Sequence, residues 1–219
     1  MKLLPTNHRR LWLAAIPVVA LCALLGAKLF GDGDAARGPV LRPADPSPGT
    51  TPVPYDAPAF ALADQDGKPV SKAALRGKIW IADFIFTSCG NTCPKMSAKR
   101  GELQKRITDP RVTFVSFSVD PERDDTATRK TYAAKYDIDQ ARWHFVSPPD
   151  RAAAMKMAEA MRIAGHSTAA GHEAILHSDR FILIDAAGRV RDTYLMSDAA
   201  SLDRLVADAT MLAGAASRE

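Results

Sequence analysis

Cys89 and Cys93 are the two residues of this chain best placed to do chemistry. Gly90-Asn91-Thr92 separates them, and Pro94 follows at once. A nearly continuous apolar run over residues 79–86 predicts a strand covered on both faces, and Cys89 falls just after it. Pro94 suits the first position of a helix over residues 94–107, on which Met96, Leu103 and Ile107 share roughly one side. Because a proline disfavours helical geometry in the residue before it, residues 88–93 are expected to form a short loop leading into that helix. Both sulfurs then lie at a helix N-terminus, whose dipole favours thiolate. Thiolate is the form that holds soft metals and attacks disulfides. Two plainer readings stand beside this one: a pair of inert buried cysteines, and a static structural disulfide. The Gly-Asn-Thr turn at a helix start argues against the first of them.

Among the five histidines, His8 belongs to the N-terminal flank and His144 to a predicted strand beside Trp143. His166 and His172 lie in a stretch rich in Gly, Ala and Ser, where solvated histidine is the default. His177 closes that stretch just before the next predicted strand, so it can lie beside the cysteine loop of a neighbouring strand. Position alone leaves its role as a ligand open. Asp120, Glu122, Asp124 and Asp125 resemble a hard-metal cluster, yet turn and N-cap work with Arg123 as local counter-charge is the expected use. Met155, Met157 and Met161 fall at helical spacing on an alanine-rich helix, which favours core packing over soft ligation.

The elements that must position these residues follow in alternation. Strands are expected over residues 79–86, 112–119 and 143–146, with helices over 94–107, 126–136 and 150–163, the last capped by Asp150 and ending near Gly165. A hairpin over 181–185 and 190–195 turns at Ala187-Gly188, and a helix over 201–212 closes the chain. That order makes an α/β sheet with helices on both faces and an antiparallel pair late in the sequence.

Composition narrows the function classes. The chain has 219 residues, 47% hydrophobic and 25% charged, which is ordinary globular usage. Its net charge is +4, but Lys2, Arg9, Arg10 and Lys28 all precede the first carboxylate, Asp32. Without those four, 25 basic groups face 25 acidic ones, which removes the main argument for nucleic-acid binding, a basic excess on the domain itself. Three cysteines are too few for a disulfide scaffold.

Residues 11–27 form an uncharged apolar run of 17 residues, extendable to Phe30 if Lys28 reaches back to the headgroups. Arg9 and Arg10 before it keep the N-terminus cytoplasmic and export the rest. A retained anchor is favoured over a cleaved signal peptide, because Leu25 and Ala27 make a poor cleavage site. Leu21 before Cys22 is too large for a lipoprotein signal, and Arg9-Arg10 only faintly resembles a twin-arginine one. Residues 31–58 carry seven prolines and four glycines and read as an extended spacer. The expected organisation is a membrane anchor or signal at 1–30, a linker at 31–58 and a globular domain at 59–219.

Over roughly residues 58–212 the chain resembles the Sco/SenC family of thioredoxin-like copper proteins. The matching segments are Asp66-Gly67-Lys68, Leu75-Arg76-Gly77-Lys78, Asp83-Phe84-Ile85-Phe86-Thr87-Ser88-Cys89, Cys93-Pro94, Trp143-His144-Phe145, Ser118-Val119-Asp120-Pro121-Glu122-Arg123-Asp124 and His177-Ser178. Gly90 departs from the proline usual after the first cysteine, and Leu176 from the aspartate that many members carry before the histidine. The resemblance implies a thioredoxin-like fold, a central mixed sheet flanked by helices, preceded by an N-terminal transmembrane helix. It implies copper ligands at Cys89, Cys93 and His177, a set that suits Cu(I) and also takes Cu(II) with an added oxygen. Zinc accepts the same ligand types, so the chemistry alone does not exclude it.

The expected function is that of a single-pass inner-membrane protein with its domain in the periplasm. By resemblance it delivers copper to, or prepares the thiols of, the dinuclear copper centre of cytochrome c oxidase. Its partner is then the copper-site subunit of that oxidase or another periplasmic copper protein. The rival is a copper-independent thiol–disulfide oxidoreductase using Cys89 and Cys93. A peroxidase is disfavoured, because the peroxiredoxin spacing wants Pro and Thr where Ala82 and Phe86 stand.

Overall fold

A computed structural model describes residues 54–163 and 178–216. All of them belong to the second of the two units into which the chain divides, Pro48–Glu219. The elements are β1 (Tyr55–Asp56), β2 (Ala61–Ala63), β3 (Pro69–Ser71), β4 (Ile79–Ile85), α1 (Thr92–Arg106) and β5 (Val112–Ser118). They continue with α2 (Thr126–Ala133), β6 (Trp143–Val146), α3 (Arg151–Ala160), β7 (Arg180–Ile184), β8 (Arg189–Leu195) and α4 (Ala199–Ala215). The apolar segment Ile79–Ile85 becomes an inner strand of a six-stranded sheet ordered β1-β8-β7-β4-β5-β6. All seven residues of β4 and all seven of β5 are buried, as inner strands covered on both faces require.

β4, β5 and β6 run parallel, joined through α1 and α2, while β7 and β8 run antiparallel beside β4. α4 packs against β8, β4 and α1. This is the mixed, helix-flanked sheet of a thioredoxin-like domain. Its core is carried by Trp80, Phe84, Phe114, Phe117, Trp143 and Phe181, all fully buried.

Asp150 caps α3 as expected, accepting from Ala153 N–H at 2.7 Å. The helix stops earlier than its apolar pattern, at Ala160, and Gly165 lies outside the described residues. Arg162 turns left-handed at φ 57°, and Tyr55 fastens that turn by donating its hydroxyl to Met161 O at 3.0 Å. The Arg162 guanidinium lies 4.0 Å over the same tyrosine ring. The late hairpin turns where expected, with Gly188 at φ 81° and Asp185 accepting the N–H of Ala187 and of Arg189.

The folded body starts earlier than residue 59. Tyr55 and Asp56 pair with Val190 and Arg189 of β8, inside the stretch read as linker, and Ala57 is buried beside them. The small β2–β3 sheet, also unexpected, turns at Gly67 (φ 76°), with Asp64 accepting N–H from Asp66 and Lys68 at 2.9 Å each. Strands of two or three residues are too short to show a period in sequence. Among the described residues no helix is long and apolar enough to cross a membrane. The expected anchor and most of the spacer lie outside the described residues.

Candidate metal centre

The site grows from the place where β4 and β5 stop pairing. Their ladder runs to Ile85 opposite Ser118, with a final bond from Val119 N–H to Ile85 O at 3.1 Å. Two residues on, Thr87 is gripped by Asp124, which accepts its hydroxyl at 2.5 Å and its N–H at 3.2 Å. The chain then turns, Cys89 N–H reaching back to Phe86 O at 3.4 Å, and meets α1.

α1 begins at Thr92, two residues before the proline, so Cys93 is in its first turn and not in the loop before it. Pro94 fits there because the first N–H groups of a helix have no partner to lose. Cys93 N–H donates to Cys89 Sγ at 3.4 Å, and Phe86 N–H donates to Cys93 Sγ at 3.5 Å. Both thiols are free and buried.

The two sulfurs differ in acidity. Burial raises the Cys89 thiol, but N–H donors from Cys93, Asn91 and Thr92 outweigh it and leave Cys89 below the usual thiol range. Burial dominates at Cys93 and pushes its thiol far up, with Cys89 and the Asp83 carboxylate adding in the same direction. Two soft sulfurs on one turn of backbone can clasp a soft metal, close a disulfide, or act in sequence as attacking and resolving thiols.

Beneath Cys93 lies a buried polar chain that sequence reasoning missed. Arg100 of α1 pairs with Asp83 of β4, both fully buried, and stacks 4.4 Å over the Trp143 ring. Arg100 also donates to Ser97 Oγ at 3.4 Å, which shares a 3.0 Å hydrogen bond with Tyr132 OH. The second Asp83 oxygen, Oδ1, is buried without a partner. The signal was present: Asp83 interrupts an apolar run, and Arg100 falls on the face of α1 shared by Met96 and Leu103.

The acidic cluster divides its work. Asp125 caps α2 through Thr128 N–H at 2.7 Å, as expected, and Asp120 pairs with Arg123 and Arg151. Asp124 is not a local turn residue, because its carboxylate crosses to the cysteine loop and also takes Ser118 Oγ at 2.6 Å. His144 is satisfied by Asp64, 3.0 Å from its Nδ1. Met161 is fully buried, and Met155 and Met157 pack against the core. Among the described residues no three His, Cys, Asp or Glu side chains are grouped to hold a metal ion. His177, with His166 and His172, lies outside the described residues.

The family model SCO1/SenC matches residues 50–213. A SCO1 protein homolog of Bacillus subtilis is 33% identical over 159 residues, covering 72% of this chain and 82% of the relative. The structure of BsSco, described as having a disulfide switch and as a member of the Sco family of cytochrome c oxidase assembly proteins, matches at a TM-score of 0.65. It is 31% identical and covers 75% of this chain and 96% of BsSco. Bradyrhizobium japonicum ScoI, solved with copper bound, matches at a TM-score of 0.58 and 25% identity, covering 72% of this chain and 99% of ScoI. The family match covers residues 50–213, both cysteines and the Asp124 clamp included, and the chain belongs to the SCO1/SenC family.

Proposed function

We propose that this chain is a copper-binding assembly factor for cytochrome c oxidase, holding one copper ion through Cys89, Cys93 and His177. The observation that carries this reading is the pair of free, buried and unequal thiols in the first turn of α1 and the loop before it. The relatives support it, since BsSco is a member of a cytochrome c oxidase assembly family and ScoI has been solved with copper. The topology is consistent with the third ligand. β7 pairs antiparallel with β4, the strand that leads into the cysteine loop, and His177 precedes β7 by three residues in sequence. Two thiolates and an imidazole suit Cu(I), and an added oxygen ligand lets the set take Cu(II).

The copper ion is cargo in this reading, passed to the dinuclear copper centre of the oxidase or to another periplasmic copper protein. In this reading residues 11–27 anchor the chain in the inner membrane, with the domain on the periplasmic side.

The unequal thiols also favour a second reading, reduction of a client disulfide. Cys89 thiolate attacks one client sulfur, forming a mixed disulfide and releasing the other sulfur as a thiolate that takes up a proton. Cys93 then loses its proton and attacks Cys89, which frees the client dithiol and leaves Cys89–Cys93 oxidised. A pair of assays on His177→Ala separates the two. Loss of copper-dependent oxidase maturation in cells, with disulfide reduction retained in vitro, is the result expected of a copper carrier. Normal maturation in that variant removes the copper reading and leaves the thiol enzyme.

A further inference from the structure

The cysteine loop is held from both ends, and only one end belongs to the helix. At the other, Asp124 takes the Thr87 hydroxyl at 2.5 Å on Oδ1 and the Thr87 N–H at 3.2 and 3.3 Å on its two oxygens. Its Oδ2 also accepts Ser118 Oγ at 2.6 Å. The residue is buried, and its backbone is fixed on both sides. Its N–H donates to Asp120 O at 3.0 Å, and its carbonyl accepts Arg129 Nε at 3.0 Å. Arg129 is itself buried and donates to Ala63 O and Phe145 O, so the carboxylate stands on a rigid base.

Only Ser88, which is exposed, lies between the clamped Thr87 and Cys89. The clamp therefore sets the point and direction in which the chain leaves β4. It decides whether Cys89 Sγ meets the N–H groups at the start of α1.

We infer that Asp124 is a positioning residue for Cys89: through Thr87 it holds the loop in the geometry in which the reduced pair accepts its cargo. The inference rests on the proposed copper site for one of its readouts, and the other needs no metal. With the clamp gone, the reduced pair loses its preorganised donors and the disulfide gains relative to it. In that exchange the two thiols give two electrons and two protons to the disulfide of a glutathione buffer, which becomes two thiols.

The test compares Thr87→Val, Asp124→Asn and the double variant with the wild-type full-length chain. Asp125→Ala, which removes the α2 cap without touching the loop, is the stability control. Cu(I) affinity is read by chelator competition, and the Cys89–Cys93 equilibrium in glutathione buffers without copper. Thr87→Val and Asp124→Asn should each weaken Cu(I) binding about tenfold or more, as loss of an outer support does at metal sites. Each should move the thiol–disulfide equilibrium about tenfold toward disulfide, which is about 30 mV. The double variant should be no worse than the worse single one.

Should Asp124→Asn fail to fold, Thr87→Val alone decides, because it keeps shape and removes one hydroxyl. Wild-type values for both loop variants overturn the inference, as does an equal shift in Asp125→Ala. If the wild-type chain binds no Cu(I), the copper reading fails while the glutathione equilibrium still decides the role of Asp124.

Discussion

Cys89 and Cys93 have three residues between them in sequence and stand in two different environments. Cys89 sits in a loop whose flanking residues Ser88, Gly90 and Asn91 are exposed, with N–H groups aimed at its sulfur. Cys93 sits inside the first turn of α1, over the buried Asp83–Arg100 pair. One sulfur is stabilised as an anion by backbone, and the other is kept protonated by burial and a neighbouring carboxylate. The lesson is that a short motif of paired cysteines need not be symmetric. The strand on one side and the helix on the other give the two sulfurs different acidities, Cys89 below the usual thiol range and Cys93 above it.

The largest expected effect is on thiol reactivity. Alkylation of the reduced chain near neutral pH should label Cys89 and spare Cys93, as peptide mass spectrometry would read. The rate at Cys89 should rise with pH around a midpoint below the usual thiol range. The linkage has opposite signs at the two residues. Cys89, lower in the folded state, adds stability as pH rises from its folded value to the unfolded one, whereas Cys93, higher when folded, removes stability above the unfolded thiol value. Equal labelling of both residues would break the comparison.

Next in size is the buried pair under Cys93. Arg100→Met should cost about 3–5 kcal/mol in denaturant unfolding, because it leaves the Asp83 carboxylate buried without its counter-charge. The labelling rate of Cys89 in the folded variant should stay near wild type, since Arg100 belongs to the other sulfur's surroundings. A loss under about 1 kcal/mol would show that the pair is not what supports Cys93.

The smallest effect sharpens the loop side. A Cβ on Gly90 meets nothing within 4 Å, and its φ is outside the left-handed region. Gly90→Ala should therefore stabilise the chain by roughly 0.4–1 kcal/mol in the same unfolding assay, through the unfolded state. Destabilisation would show that the loop needs glycine's freedom.

Much of this was legible in sequence, for reasons that differ by element. The apolar run at 79–86 announced an inner strand because burial on both faces leaves no polar alternation, and the alternating apolar residues at 112–119 announced a second strand. Asp150 announced a helix start because capping is local. β1 was lost among prolines, since two residues paired with Val190 and Arg189 acquire their meaning only from β8. Pro94 suits the first helical position by its sequence, so the start of α1 reads two residues late, whereas the helix accommodates the proline at the third position. Asp124 was read as a local turn residue. Its partner, Thr87, is 37 positions away, and nothing in the DPERD segment reveals that distance. Asp83 and Arg100 are legible as charges on apolar faces.

The central claim is that one soft metal ion sits between two thiolates and His177. The most direct measurement is Cu(I) titration of the reduced full-length chain, with metal analysis, against Cys89→Ser, Cys93→Ser, His177→Ala and His172→Ala. The account predicts one copper per chain, loss of tight binding in either cysteine variant, strong weakening in His177→Ala and wild-type affinity in His172→Ala. Oxidising the Cys89–Cys93 pair beforehand should abolish binding, because sulfurs joined to each other cannot serve as thiolate ligands. Tight binding that survives the disulfide, or greater damage from His172→Ala than from His177→Ala, would contradict the account.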